Sequence, residues 1–106
     1  MAPLYMRGSS CMEVIMVITL KKAILVGDKE VKSVDLDMDK LTGEDFIKAE
    51  AEVRAAGDMT PSMVMSMRFH AALAARLIGV PMDDVLAMPA TDFTRITNPV
   101  AFFLLD

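Results

Sequence analysis

An α+β fold, with an N-terminal β-hairpin followed by three or four helices forming a small helical bundle, is what this sequence predicts. Three observations carry the prediction. β-branched and apolar residues dominate Val14 to Leu20, and further on Val34, Leu36 and Met38 alternate with Asp35 and Asp37. Gly27-Asp28-Lys29 lies between these arms, where glycine turns the chain at positive φ without steric cost. From Thr42 onward the apolar residues recur at helical spacing, punctuated by caps and glycine stops.

Taken in order, Met1 to Cys11 carries Pro3, Gly8, Ser9 and Ser10 without periodicity, so residues 1–13 are expected to be a disordered leader or tag remnant. Residues 14–106 are expected to form a single domain. A two-stranded hairpin is marginal alone, so its apolar face must lie on the helices or pair with another chain. The first helix is expected from Thr42 to Gly57, with Thr42 and Asp45 as a capping box and Gly57 as the stop. Leu41, Phe46, Ile47 and Val53 give it a narrow apolar stripe, so only part of it should be buried.

A second helix is expected to start with Thr60 as cap and Pro61 at its first position, and to stop at Gly79. On that phase Met63, Met67, His70, Leu73, Ala74 and Leu77 share one face, while Met65 and Phe69 share the far one. Val80-Pro81 then breaks the chain, and Met82 to Met88 is expected as a short turn or helix with Asp83 and Asp84 at its positive end. After Pro89, Phe93, Ile96, Val100, Phe103 and Leu104 outline a last helix. Proline 99 lacks an amide and clashes with the carbonyl of Arg95, which predicts a kink or break near Thr97-Asn98.

Composition narrows the function classes. Hydrophobic residues make up 54% of the 106, aromatics only 6%, and Met alone contributes 11. Such a core must be aliphatic and soft, and the same soft side chains suit adaptable binding surfaces. The balance of 11 basic against 15 acidic residues, net −4, disfavours nucleic acid and anionic membrane as partners. A single cysteine, Cys11, cannot form an internal disulfide, and Met12 to Leu20 is too short to span a bilayer. A place inside the cell, in the cytoplasm, is expected.

No chemistry-bearing constellation emerges. His70 is the only histidine and has no carboxylate, nucleophile or metal ligand one helical turn away, which reads as a core or rim histidine. Asp35, Asp37 and Asp39 alternate as in a calcium loop but lack the required glycine and distal glutamate, so a solvated strand face is the reading. Ala75 to Val80 followed by Val85 echoes a helix-turn-helix, yet Asp83 and Asp84 would face the phosphates. No catalytic residue, metal site or cofactor is expected, and the chain is read as non-enzymatic.

What survives is apolar abundance at Met59, Met63, Met65, Met67, Met82 and Met88 and at the end of the chain, Phe102-Phe103-Leu104-Leu105. Such residues left in water favour association. Met63, Met67, Phe69, Phe102, Phe103 and Leu104 are therefore the candidate partner-binding residues.

Six segments, Ile18-Thr-Leu-Lys-Lys, Val26-Gly-Asp-Lys-Glu-Val31, Leu41-Thr-Gly-Glu-Asp-Phe46, Gly57-Asp-Met-Thr-Pro61, Leu77-Ile-Gly-Val-Pro81 and Leu86-Ala-Met-Pro-Ala-Thr-Asp-Phe93, together resemble the tail assembly chaperones of temperate contractile-tailed phages and prophages. The resemblance implies a protein of the bacterial host cytoplasm that binds the long helical tape measure protein, keeps it soluble, and helps tail tube subunits assemble around it. It also allows a homo-oligomer. Pro99 and the Met-rich Ser62 to Met67 depart from the pattern. The alternatives are a structural tail or head-completion subunit that stays in the particle, and a small helix-turn-helix DNA-binding regulator.

Overall fold

The computed structural model describes residues 15–105; the expectations for residues 1–13 and for Cys11 lie outside them. Two antiparallel strands, β1 (Ile15–Val26) and β2 (Lys29–Asp37), form the hairpin. Gly27, at φ 66°, turns the chain between Val26 and Lys29, as its freedom from a Cβ allows. Four helices follow: α1 (Gly43–Ala55), α2 (Met67–Ile78), α3 (Met82–Leu86) and α4 (Ala90–Leu105). The architecture is the expected α+β.

Alternation decides which face of the hairpin turns inward. Ile18, Leu20, Val34 and Leu36 are buried while Val17, Thr19, Ser33 and Asp35 are exposed, so every second residue meets the helices. β2 packs on α2 and β1 on α4, and α2 sits at the centre, touching α1, α3 and α4 as well. Its Ala71, Ala72, Leu73, Ala74 and Ala75 are all buried, because small side chains let neighbours approach from several sides at once.

The ladder is not regular. Between Thr19 and Ile24 the first strand holds four residues, whereas between their partners Ser33 and Val31 the second holds one. β1 therefore carries three extra residues in a bulge, and the amides of Lys21 and Lys22 leave the ladder. They are taken up by Asp92 of α4, whose carboxylate accepts from Lys21 N at 2.9 and 3.1 Å and from Lys22 N at 3.0 Å. Asp92 itself is 0% exposed. The first-strand irregularity and the helix that covers it are thus one polar seam, which also keeps buried amides paired.

α1 begins as expected. Thr42 Oγ1 accepts from Asp45 N at 3.2 Å and Asp45 Oδ2 accepts from Thr42 N at 3.0 Å, completing the capping box. Asp45 Oδ1 also accepts from Arg76 Nε at 3.0 Å, tying α1 to α2. The helix buries Ala49 and Val53, half-buries Phe46, and leaves Ile47 in water.

Two expectations are corrected. The second helix starts at Met67, not Pro61: Met63–Met65 form a separate 3-10 turn, and the cap is Ser66, whose Oγ accepts from Phe69 N at 3.2 Å. Thr60 instead belongs to a local turn, its amide and hydroxyl both donating to Asp58, at 2.8 and 2.5 Å. Nor does Pro99 break the last helix, which runs through it from Ala90 to Leu105. A proline inside a helix costs about 3 kcal/mol. Burial of Ile96 and Val100 on one side, at about 1.5–3 kcal/mol each, is large enough to keep the helix continuous through the defect.

Candidate protein-binding surface

The candidate surface is assembled from the connector between α1 and α2 and from the free end of α4. Asp58 organises the connector. Besides the two bonds from Thr60, its carboxylate accepts from Ser66 Oγ at 2.5 Å, while its backbone carbonyl accepts from Arg54 Nη1 at 3.3 Å. The hydroxyls of Ser66 and Thr60, in that order, and the Thr60 amide hold the Asp58 carboxyl down to about 2. This hub fixes a seven-residue excursion whose apolar side chains have no regular helix to order them.

Their placement follows the late helix start. Met63 is buried in the 3-10 turn, and Phe69 is buried with its ring edge-on to Phe46, centroids 5.7 Å apart and planes at 80°. Met65 and Met67 point outward instead, 63% and 61% exposed, with Met59 at 84%. The assumed helical phase had put Met63 with Met67 and Met65 with Phe69; because the helix begins only at Met67, each of those pairs is split between core and solvent. His70 is also buried, its Nε2 at 2.7 Å from the carbonyl oxygen of Val64, so it braces the connector.

α4 supplies the second part. Asp92 near its start meets Lys21, and Asn98 and Pro99 lie beside Val17 and Ile18, so the helix runs along β1 from bulge to strand start. It also packs on the 3-10 turn, which stands at the beginning of α2. In its last turn Phe102 is 72% exposed, Phe103 is partly exposed, and Leu104 packs against the core.

Of the six residues that sequence reasoning singled out, Met67, Phe102 and Phe103 face water, Leu104 borders the core, and Met63 and Phe69 lie beneath the surface. The buried two are reached from outside only as the floor of a groove of about 190 Å³ between α1 and the connector, whose walls include Phe46, Ile47 and Val64. Sequence reasoning missed Ile47 as a surface residue. Its signal was present, since Ile47 sits one position from Phe46 and both cannot face the same side of a helix.

The other constellations are local structure. Asp37 Oδ1 accepts from Asp39 N at 3.2 Å and caps the 3-10 turn that follows β2. Among the described residues, no three His, Cys, Asp or Glu side chains converge as a metal site, and no helix is long and apolar enough to cross a membrane. The segment that echoed a helix-turn-helix has its left-handed turn at Gly79, φ 90°, but the helix after it spans five residues with Asp83 and Asp84 in its first turn. That is little more than one turn, led by two negative charges.

A sequence model of the family described as phage tail assembly chaperone proteins, E, or 41 or 14, matches residues 17–105. No curated protein and no solved structure matches the chain.

Proposed function

The chain belongs to the phage tail assembly chaperone family, and from that premise we propose that it binds the tape measure protein, keeps it soluble during tail assembly in the host cytoplasm, and does so without catalysis. The observation that carries this reading is the number of large apolar side chains left in water in the connector and the last turn of α4: Met59, Met65, Met67, Phe102 and Phe103. A long amphipathic helix presents an apolar stripe that would otherwise self-associate. Unbranched Met side chains adapt to such a stripe at whatever register it arrives.

Magnitudes favour many weak contacts over one tight one. Covering an exposed Met or Phe side chain contributes about 1.5–3 kcal/mol. Three or four of them contribute about 4.5–12 kcal/mol, which does little more than offset the roughly 4–15 kcal/mol lost in associating two molecules. A single subunit therefore holds its client loosely, and several subunits along one client shield it while each remains displaceable by tail tube protein.

Co-expression with the tape measure protein tests the reading. Soluble tape measure protein should rise in the presence of this chain, and a client equally soluble with and without it rejects the proposal. The competing reading, a structural subunit that stays in the particle, draws support from the open strand edge described below. Mass spectrometry of purified particles separates the two: a chaperone is absent from the finished tail, a structural subunit present.

A further inference from the structure

The two edges of the hairpin are treated differently by the rest of the chain. Along β1 the bulge breaks the ladder, Asp92 takes the amides of Lys21 and Lys22, and Thr94, Asn98 and Pro99 of α4 lie beside Val17 and Ile18. The bulge and the Asp92 cap interrupt that edge midway, and although a groove of about 340 Å³ remains between its first residues and α4, it offers no unbroken ladder to another strand. β2 has no extra residue over Lys29–Asp37, and among the described residues its backbone forms no hydrogen bond outside the hairpin. Beside it a groove of about 300 Å³, reaching Leu77 and Ile78 at the end of α2, leaves the flank of the strand open.

Charge along this edge is arranged in halves. Lys29 and Lys32 stand with Glu30 in the first part of the strand, which is net positive, and Asp35 and Asp37 in the last, which is net negative. A strand polarised in this way repels a parallel copy of itself and attracts an antiparallel one. We propose that β2 pairs antiparallel with β2 of a second copy, about a two-fold axis at Ser33, to give a continuous four-stranded sheet. This register pairs all nine residues of the strand. It sets Lys29 opposite Asp37 of the second copy, twice by symmetry, and opposes no like charges. Moving the axis to Lys32 places two lysines face to face, and moving it to Val34 leaves Lys29 beyond the end of the partner strand. A closed two-fold dimer also consumes the open edge, so pairing stops at two copies.

The dimer does not rest on the choice of client, and its test uses no client. Sedimentation of the full chain over a range of concentrations should show a reversible monomer–dimer equilibrium. Lys29→Asp and Asp37→Lys should each weaken it about tenfold, since each turns two attractive cross-strand pairs into repulsive ones. The double swap Lys29→Asp/Asp37→Lys should restore it. Because Asp37 also caps the following turn, Ser33→Asp provides an independent variant: it places two carboxylates against each other at the axis and touches no cap, and it should weaken the dimer comparably. Circular dichroism identifies any variant that fails to fold. A wild-type chain that is monomeric throughout, a dimer indifferent to all three single changes, or a double swap no better than the singles overturns the proposal.

Discussion

The seam between β1 and α4 and the free end of the helical layer are built on opposite terms. In the seam an irregular strand is matched group for group: three extra residues leave the ladder, two amides lose their strand partners, and one carboxylate satisfies both. At the end of the layer the polar groups are just as well matched through Asp58, but the apolar ones are not, and Met59, Met65, Met67 and Phe102 remain in water. The comparison separates what holds the fold from what is available to a partner. A region whose every group is spoken for contributes stability, whereas a region with ordered backbone and uncovered side chains has surface to offer.

The largest effect should come from breaking the seam. Asp92→Ala removes the acceptor of the part-buried Lys21 and Lys22 amide bonds together with the side chain that fills a fully buried position, and unmade bonds of this kind are costly. A fall in melting temperature of roughly 10 °C or more is expected for a chain of this size. Asp92→Asn, which retains one acceptor oxygen, should lie between alanine and wild type. If alanine melts with wild type, the seam does not hold the hairpin.

Acid should weaken both regions, and the sign follows from the direction of the shifts. The Lys21 amide, with that of Lys22 and the charges of Arg95 and Lys21, holds the Asp92 carboxyl below its ordinary value against the opposing effect of burial. Asp45 is lowered by the Thr42 amide and by Arg76, and Asp58 lies at about 2. Depressed carboxylates contribute stability that is complete above the unfolded value near 3.8 and lost as pH falls through the folded ones. Stability should therefore decline between about pH 4 and about pH 2. Asp58→Asn should flatten that decline, as followed by denaturant unfolding at successive pH values. An unchanged slope would remove Asp58 from the account.

How much of this was legible in the sequence depends on how local each cause is. The Gly27 turn, the Thr42–Asp45 box and the glycine stops involve residues within a few positions of one another, and they stand where the sequence placed them. The seam joins residues 71 positions apart, and nothing local in Thr91-Asp92-Phe93 distinguishes a carboxylate that caps a distant bulge from one that faces water. The connector failed for a competing local reason. Thr60-Pro61 is a good helix start, but Asp58 draws the Thr60 amide and hydroxyl into a local turn, and the helix begins only after Ser66. That delay also misplaced two of the six candidate residues: Met63 and Phe69, taken for outer residues, are buried, Phe69 against Phe46, while Met65 lies outside beside the candidate Met67. The break expected at Pro99 failed for the converse reason, since packing of one face of α4 through Ile96 and Val100 outweighs a local defect.

The smallest effect on stability is expected where the effect on function is greatest. Met67→Ser/Phe102→Ser removes two large side chains that already lie mostly in water, so their loss forfeits little burial and should change stability by no more than about 0.5 kcal/mol. The same variant should lose most of its ability to hold the tape measure protein in solution on co-expression, because weak contacts multiplied along a client fail together when each is weakened. Asp92→Ala should show the inverse profile, a lower melting temperature with client binding retained by the folded fraction. A Met67/Phe102 variant that melts early, or one that still keeps the client soluble, would show that the exposed end is part of the fold's own support and return the search for the binding surface to the groove over Met63 and Phe69.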